Sequence, residues 1–435
     1  MHCETLNEGH EKESVSCIIP LAAICGLWFE TRFKVKDGQF IKDGQPYYYI
    51  GANFWYGAIL ASEGEGGNRQ RLLMELDSLC AIGVDNLRIL VGADGVNGIV
   101  SKVEPTLQIA PGVYNDTILA GLDYLLYEMG KRKMSAVLYL NNSWEWSGGY
   151  GQYLEWAGYG KAPVPTVDGW AQFQKFVEQY PQCDSSKTLF ANHVKFIVER
   201  TNRYINRKYS DDSTIMSWQI GNEPRAFNDK NKVSFALWIH SVAELIKSCD
   251  PNHLVSTGSE GSQGCEKDIQ LWELIHSYKS VDYMTIHIWP YNWKWTDKDS
   301  LNETLDYSIK QTQKYIKDHL AIAEKYNKPI VIEEFGYPRD SFLFDLGTLT
   351  SNRDAYYASV FQNVVDGSES NGNLAGCNFW AWGGMAEKKD GCVYWVKGND
   401  YTGDPPQEEQ GLYSVFQKDN TVELIRNSNK KISNH

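Results

Sequence analysis

Positive charge is in short supply in this 435-residue chain, where 42 Lys and Arg stand against 55 Asp and Glu for a formal net charge of -13. Nucleic acid is thereby excluded as a partner, because phosphate binding needs clustered Lys and Arg. Long apolar runs are missing as well. The apolar stretch 17–29 is far too short to cross a bilayer, so no membrane span is expected. Neither a C-x-x-C pair nor an H-E-x-x-H occurs, which leaves no zinc or redox motif, and no metal or organic cofactor is expected. The nine cysteines are odd in number, so at least one thiol is free or paired between chains; most read as small buried hydrophobes, with a loop disulfide left open. Internal repeats, low-complexity tracts and Pro/Ser linkers are absent too, and nothing divides the chain.

Aromatic side chains are what the sequence has in excess. Fifteen Trp and 26 Tyr are more than a core needs, and each offers a flat apolar face with a polar edge that matches the apolar face of a sugar ring. With 42% hydrophobic and 22% charged residues there is material for a full core. The length suits one barrel of the β/α type with long loops. Residues 1–30 read as a leader or the remnant of an export signal, although Glu4, Glu8, Glu11 and Glu13 outnumber Lys12 where such a leader should be positive. An ordinary N-terminal extension is the alternative. Residues 31–435 then form a single (β/α)8 domain. A leader implies a secreted, periplasmic or cell-surface protein, and a monomer is expected.

Short β-branched or aromatic runs alternate with amphipathic segments, the pattern of parallel strands each followed by a helix. Strands are predicted over 47–52, 86–91, 136–140, 215–220, 254–257, 283–287, 330–334 and 376–380, which makes eight. Helices are predicted over 69–82, 117–132, 190–209, 233–248, 307–326 and 353–366, with breaks at Gly83, Asp250-Pro251 and Lys328-Pro329. The fold class is therefore α/β, a (β/α)8 TIM barrel with long aromatic-rich βα loops. Two such loops stand out: 143–188, carrying Trp144, Trp146, Tyr150, Tyr153, Trp156, Tyr159 and Trp170, and 383–411, carrying Trp395 and Tyr401. Long loops of this kind are usually functional. Their aromatics suit sugar stacking, or equally the pinning of the loop to the barrel.

Polar residues fall where the strand patterns end: Asn53, Arg88, Asn141, Asn142, Asn222, Glu223, His287 and Glu334, with Trp380 beside them. In a β/α barrel these ends share one mouth, so the residues converge. Two strands run into acids, Trp218-Gln219-Ile220-Gly221-Asn222-Glu223-Pro224-Arg225 and Ile330-Val331-Ile332-Glu333-Glu334-Phe335-Gly336. Alternation sends Glu333 and Glu334 to opposite faces, so only one of them is expected to face the barrel axis. Two carboxyls across a barrel mouth are the minimal equipment for glycoside cleavage. Arg88 suits the task of holding the attacking carboxylate, and Asn222 that of binding a sugar hydroxyl.

The set Arg88, Asn222-Glu223-Pro224, His287, Glu334-Phe335-Gly336 and Trp380 resembles glycoside hydrolase family 5, whose members are retaining enzymes on a (β/α)8 barrel. The resemblance implies Glu223 as general acid/base and Glu334 as nucleophile, which makes Glu333 the outward residue. It implies substrate-binding roles for Arg88, Asn222, Arg225, His287, Trp289, Trp380, Trp144, Asn53 and Trp55. Within the family, Gly221-Asn222-Glu223-Pro224-Arg225, Leu140-Asn141-Asn142-Ser143-Trp144 and Gly258-Ser259-Glu260-Gly261 are similar to the endo-β-1,4-mannanases. That likeness implies hydrolysis of internal bonds in mannan, glucomannan or galactomannan, with a β-mannan polysaccharide or oligosaccharide as the only partner. One departure is plain: the sixth-strand motif reads His287-Ile288-Trp289-Pro290 where these enzymes commonly have His-x-Tyr-Pro, and Tyr291 is the expected substitute. Two alternatives stay open, an endo-β-1,4-glucanase of the same family and a non-catalytic carbohydrate-binding barrel.

Overall fold

Eight strands whose residues are buried throughout supply the frame: β1 (Tyr49–Asn53), β2 (Asn86–Leu90), β3 (Ser135–Tyr139), β4 (Ile215–Gln219), β5 (Leu254–Ser256), β6 (Met284–Ile288), β7 (Ile330–Phe335) and β8 (Leu374–Phe379). Strands covered on both faces are the mark of a parallel sheet wrapped in helices. In this computed structural model, which describes residues 33–389 and 391–433, they run parallel in the order β5-β4-β3-β2-β1-β8-β7-β6. Backbone hydrogen bonds from Asp282 N to Val255 O (2.8 Å) and from His287 N to Glu260 O (3.0 Å) join β5 to β6 and bring the sheet round into a barrel. All eight predicted strands are present, with bounds within two residues of those read from the sequence.

The helices between them start and stop where local chemistry dictates. Asn68 and Asn115 accept backbone N–H groups at the starts of Arg69–Ala81 and Asp116–Lys131. Asn327 and Asn371, both left-handed, end Leu305–Tyr326 and Ser351–Ser370. One predicted helix is corrected. The segment 190–209 is helical only within Asp184–Val198, and Thr201–Asn202 then pairs with Arg207–Lys208 as a hairpin. Asp123 causes the change, because its carboxylate collects Arg200, Arg203 and the Tyr209 hydroxyl, and this tertiary pull outweighs helix propensity. The stretch 143–188 is also more ordered than a loop, containing Gly149–Trp156 and Trp170–Val177.

The bottom of the barrel is closed by a three-stranded antiparallel sheet (Lys34–Lys36, Gln39–Lys42, Gln45–Pro46). Its turns are Asp37-Gly38 and Asp43-Gly44, all four residues at positive φ, the Asp-Gly signature of a tight hairpin. Phe33, Phe40 and Tyr47 pack here against Tyr49, Val137, Met216, Tyr283 and Val331. The expected leader, residues 1–30, lies outside the described residues. All six described cysteines are free thiols, and only Cys183, Cys265 and Cys377 are buried. Among the described residues no helix is long and apolar enough to cross a membrane.

The expectation for Glu333 is overturned. Pairing of β6 with β7 runs Ile286 to Ile332 and then His287 to Glu334, skipping Glu333. Val331 and Glu333 share the interior face as alternation requires, and this extra residue brings Glu334 round to the mouth as well. Both glutamates therefore face the barrel axis.

The loop after β8 is fastened by charge. Arg339 and Arg353, both fully buried, converge on Asp419 at 2.6 and 2.9 Å. Asp419→Ala is expected to leave both guanidiniums without their carboxylate and to cost about 3–5 kcal/mol of stability, measured by thermal or denaturant unfolding; a loss below about 1 kcal/mol would contradict this.

Candidate active site

Arg88, in the middle of β2 and fully buried, reaches across the barrel toward the mouth. Its Nη1 donates to Glu334 Oε1 at 2.5 Å and to Asn53 Oδ1 at 3.1 Å; Nη2 donates to Asn222 Oδ1 at 2.9 Å and Nε to Gln219 Oε1 at 2.8 Å. The guanidinium lies over the Tyr139 ring, 4.3 Å from its centroid. One side chain thus ties together β1, β2, β3, β4 and β7. Asn53 in turn donates to the backbone oxygen of Glu333 at 2.7 Å.

Glu223 stands opposite, just past β4. Its backbone is left-handed (φ 51°), a strained state for a side-chain-bearing residue, and such strain is held only where the surroundings fix it. Gly258 O accepts from Glu223 N at 2.9 Å, and the Ser143 hydroxyl donates to Glu223 O. The carboxylate accepts from Trp144 Nε1 at 2.5 Å on Oε2 and from Trp289 Nε1 at 3.3 Å on Oε1. His287 lies between the two acids, with Nδ1 2.9 Å from Glu223 Oε1 and 3.2 Å from Glu334 Oε2.

Burial works against a charge on His287, yet the Glu334 carboxylate, the hydrogen bond to Glu223 and the neighbouring Glu333 carboxylate raise its pKa well above the usual imidazole value. Burial likewise pushes Glu223 up, but the hydrogen bond and charge of His287, the charge of Arg225 and the Trp144 bond together hold it below the ordinary carboxylate range. Both shifts act in the direction of a proton on His287 and an ionised Glu223. One ligand atom each from Glu223, His287 and Glu334 lie within 4.8 Å of one another, a spacing a cation could span. Each of the four carboxylate oxygens already faces an N–H, however, which is the arrangement of a hydrogen-bonded acid pair.

A cavity of about 610 Å³ opens above the pair. Of the residues expected to bind substrate, Trp144, Asn222, Arg225, Trp289 and Trp380 line it with Glu223 and Glu334. Arg88, His287, Asn53 and Trp55 do not. They sit beneath or behind the wall, and Trp55 donates to Gly403 O at 2.8 Å, so it fastens the loop after β8. Trp380 packs edge-on between Trp146 (ring centroids 6.5 Å apart) and Trp289 (6.0 Å), forming an aromatic floor. Tyr291 rests on Phe342 and does not replace the missing tyrosine; the Trp289 indole reaches Glu223 and not Glu334. Trp395 and Tyr401 stack on each other at 4.7 Å and pin their loop, the plainer of their two readings.

Several lining residues had no signal in the strand-end pattern. Glu260, paired with Arg225, is pushed up to about 7 by burial first, with Arg225 opposing and Glu223 adding to the rise. Burial raises Glu145 to about 7. Glu408, from the loop after β8, lies well above the carboxylate range through burial and the charges of Asp404, Glu334 and Glu223. Each sits several residues beyond a strand end, where strand periodicity cannot read it.

Comparison with known proteins agrees with this geometry. The family model described as glycoside hydrolase family 5, β-mannosidase-like, matches residues 31–435, and the chain belongs to that family. It is similar to mannan endo-1,4-β-mannosidase 5 of Solanum lycopersicum, 28% identical over 376 residues covering 83% of this chain and 84% of the relative. Mannan endo-1,4-β-mannosidase 7 of Arabidopsis thaliana is 28% identical over 364 residues, covering 80% and 77%. Among solved structures, a glycoside hydrolase family 5 mannosidase from Rhizomucor miehei superposes with a TM-score of 0.85 at 33% identity, covering 94% of this chain and 99% of that one. An endo-β-1,4-mannanase from Thermotoga petrophila, at 23% identity and a TM-score of 0.65 over 90% and 78%, shares the fold. The protein is a glycoside hydrolase on a TIM barrel.

Arg88→Lys keeps the charge but cannot serve four partners in one plane. It is expected to lower kcat by on the order of 10²-fold through misplaced carboxyls, with the fold checked by thermal melting. Wild-type kcat in a folded Lys variant would show that charge alone suffices.

Proposed function

We propose that this enzyme cleaves β-mannosidic bonds of mannan, glucomannan or galactomannan, or of their oligosaccharides, by double displacement with retention. Glu334 attacks the anomeric carbon, and Glu223 serves first as acid and then as base. The closeness of the pair carries the reading: one oxygen of each lies within 4.8 Å of the other, and His287 Nδ1 touches both. Retaining pairs stand about 5–5.5 Å apart, whereas inverting pairs leave about 6.5–9.5 Å for a water. Arg88 and His287 occupy both oxygens of Glu334, so the attacking atom is aimed before substrate arrives.

The proton for the leaving group comes from the His287 and Glu223 pair. As the glycosidic oxygen approaches Glu223, the proton crosses the 2.9 Å contact from Nδ1 to Oε1 and goes on to the departing oxygen. Water then attacks the glycosyl-enzyme and returns a proton to Glu223. Trp380 lies under the sugar, Asn222 is placed for a ring hydroxyl, and Arg225 with Trp144 lines the leaving side.

Mannose is the sugar supported by the relatives' names and by the β-mannosidase-like group itself. Parallel assays on glucomannan, galactomannan and carboxymethylcellulose separate it from the glucanase alternative. Internal cleavage needs a cleft open at both ends. One observation favours a second reading, release from a chain end: Pro405, Gln407 and Glu408 of the loop after β8 belong to the cavity wall. That wall is fixed, because buried Asp404 accepts from Gly411 N, Tyr413 N and the Ser414 hydroxyl.

Glu223→Ala and Glu334→Ala are each expected to lower turnover by at least about 10²–10⁴-fold. Azide should rescue them with opposite anomers, β-mannosyl azide from the Glu223 variant and α-mannosyl azide from the Glu334 variant. Exchange of the two anomers would reverse the assigned roles. Digestion of mannohexaose distinguishes the modes of action: mannose as the first product supports chain-end release, and an early mixture of mannobiose and mannotriose supports internal cleavage.

A further inference from the structure

Glu333 lies beneath the catalytic pair and takes no part in the double displacement. Its side chain is 1% exposed. Oε1 accepts from Gln219 Nε2 and, at 3.4 Å, from the Tyr283 hydroxyl, which itself contacts Ser217 Oγ at 2.8 Å. Oε2 has no hydrogen-bond partner, and neither has Nε2 of His287, yet the two face each other at 3.8 Å on the side of the ring away from Glu223 and Glu334. Arg88 Nε is 3.9 Å from the same oxygen. Leaving a buried polar atom unsatisfied costs about 1–3 kcal/mol. Two such atoms of complementary character on opposite sides of one gap point to a charge interaction.

We propose that Glu333 is a positioning residue of the reaction, whose negative charge keeps Nε2 of His287 protonated so that the imidazolium presents Nδ1–H to Glu223 and Glu334. The inference rests on the reading of Glu223 as the acid. During turnover the proton on Nδ1 moves to Glu223 Oε1 and then to the leaving oxygen, while Nε2–H stays against Glu333. The C1–O bond breaks as the bond from C1 to Glu334 forms. In the second half, water attacks C1, the ester to Glu334 breaks, and the proton of water returns through Glu223 to Nδ1.

The surrounding charges are consistent with this division. His287 is faced by Glu223 after β4, Glu260 after β5, and Glu333 and Glu334 on β7. Glu333 is faced by Arg88 on β2, Tyr49 on β1, and Tyr283 and His287 at β6, with Tyr139 of β3 against Arg88 and Cys377 of β8 beside Tyr49. Glu260 is engaged by Arg225. Three carboxylates, Glu223, Glu333 and Glu334, therefore share two cations, Arg88 and His287. Removing the Glu333 charge takes away one of the groups that hold the proton, so the proton leaves at lower pH.

The test follows the His287 ring by ¹⁵N NMR in the substrate-free enzyme, with the pH dependence of kcat/KM measured beside it. In the wild type both ring nitrogens should stay protonated through neutrality. In Glu333→Gln the ring should lose its proton about one pH unit lower, as expected for loss of an opposite charge in close contact, and the alkaline limb of the rate profile should move with it. KM at the acidic plateau should change little, and Glu333→Asp should move the limb back toward wild type. A ring titration and alkaline limb unchanged in Glu333→Gln would overturn the proposal, because a space-filling residue moves neither. If Glu333→Gln does not fold, wild-type Nε2 still decides: a bare nitrogen at neutral pH overturns the proposal, and a protonated one supports it. Failure of Glu223 as the acid would appear in the azide experiment and leave the ring titration unaffected, so the two failures are distinct.

Discussion

The guanidinium of Arg88 is the contact on which the mouth of the barrel depends. A (β/α)8 frame brings strand ends together but does not aim the side chains that leave them, and here one buried cation fixes Asn53, Gln219, Asn222 and Glu334 at once. Its fork geometry satisfies several acceptors in one plane, which an ammonium cannot do. Leaving an arginine in the interior is tolerable only because those acceptors and the two carboxylates Glu333 and Glu334 replace its hydration. The candidate nucleophile is therefore held by the same interaction that makes the buried charge stable.

From that cation the remaining electrostatics follow. The extra residue in β7 places two adjacent carboxylates on the interior face, and a third, Glu223, comes from the strained turn after β4. A second positive group is then required nearby, and His287, wedged among all three, takes that role. Trp144 and Trp289 complete the set by donating indole N–H groups to Glu223. Trp144 is consequently more than a stacking surface, since its removal would also free one oxygen of the acid. The candidate site thus holds a balance of buried charge, with the aromatic floor of Trp380, Trp146 and Trp289 packed beside it.

Much of this was legible in the sequence because parallel strands leave a strong mark. Apolar runs located all eight strands, and in six of them the run leads into Asn, Arg, His or Glu at the mouth; the short bottom sheet, whose strands are two to four residues long, left no such mark. Strict alternation failed at Glu333-Glu334, where a single inserted residue, invisible in composition, reverses the face of every side chain after it. The helix read over 190–209 failed for another reason, a distant carboxylate, Asp123, that rearranges the chain after Val198. Glu145, Glu260 and Glu408 lie in the connections after β3, β5 and β8, beyond the reach of strand periodicity, and the last of these is fixed by tertiary contacts of Asp404. Asn53 and Trp55, expected to bind substrate, send their hydrogen bonds to the protein and do not line the cavity.

The central claim, direct attack by Glu334 with Glu223 as acid and then base, is tested most directly by the configuration of the first product. Two successive inversions at the anomeric carbon restore the β configuration of the substrate, whereas a single attack by water inverts it. Proton NMR of the hydrolysate, recorded before mutarotation mixes the anomers, reads the difference. The β-anomer appearing first, with the α-anomer rising later at the rate of mutarotation, is the predicted result; the α-anomer appearing first would contradict it.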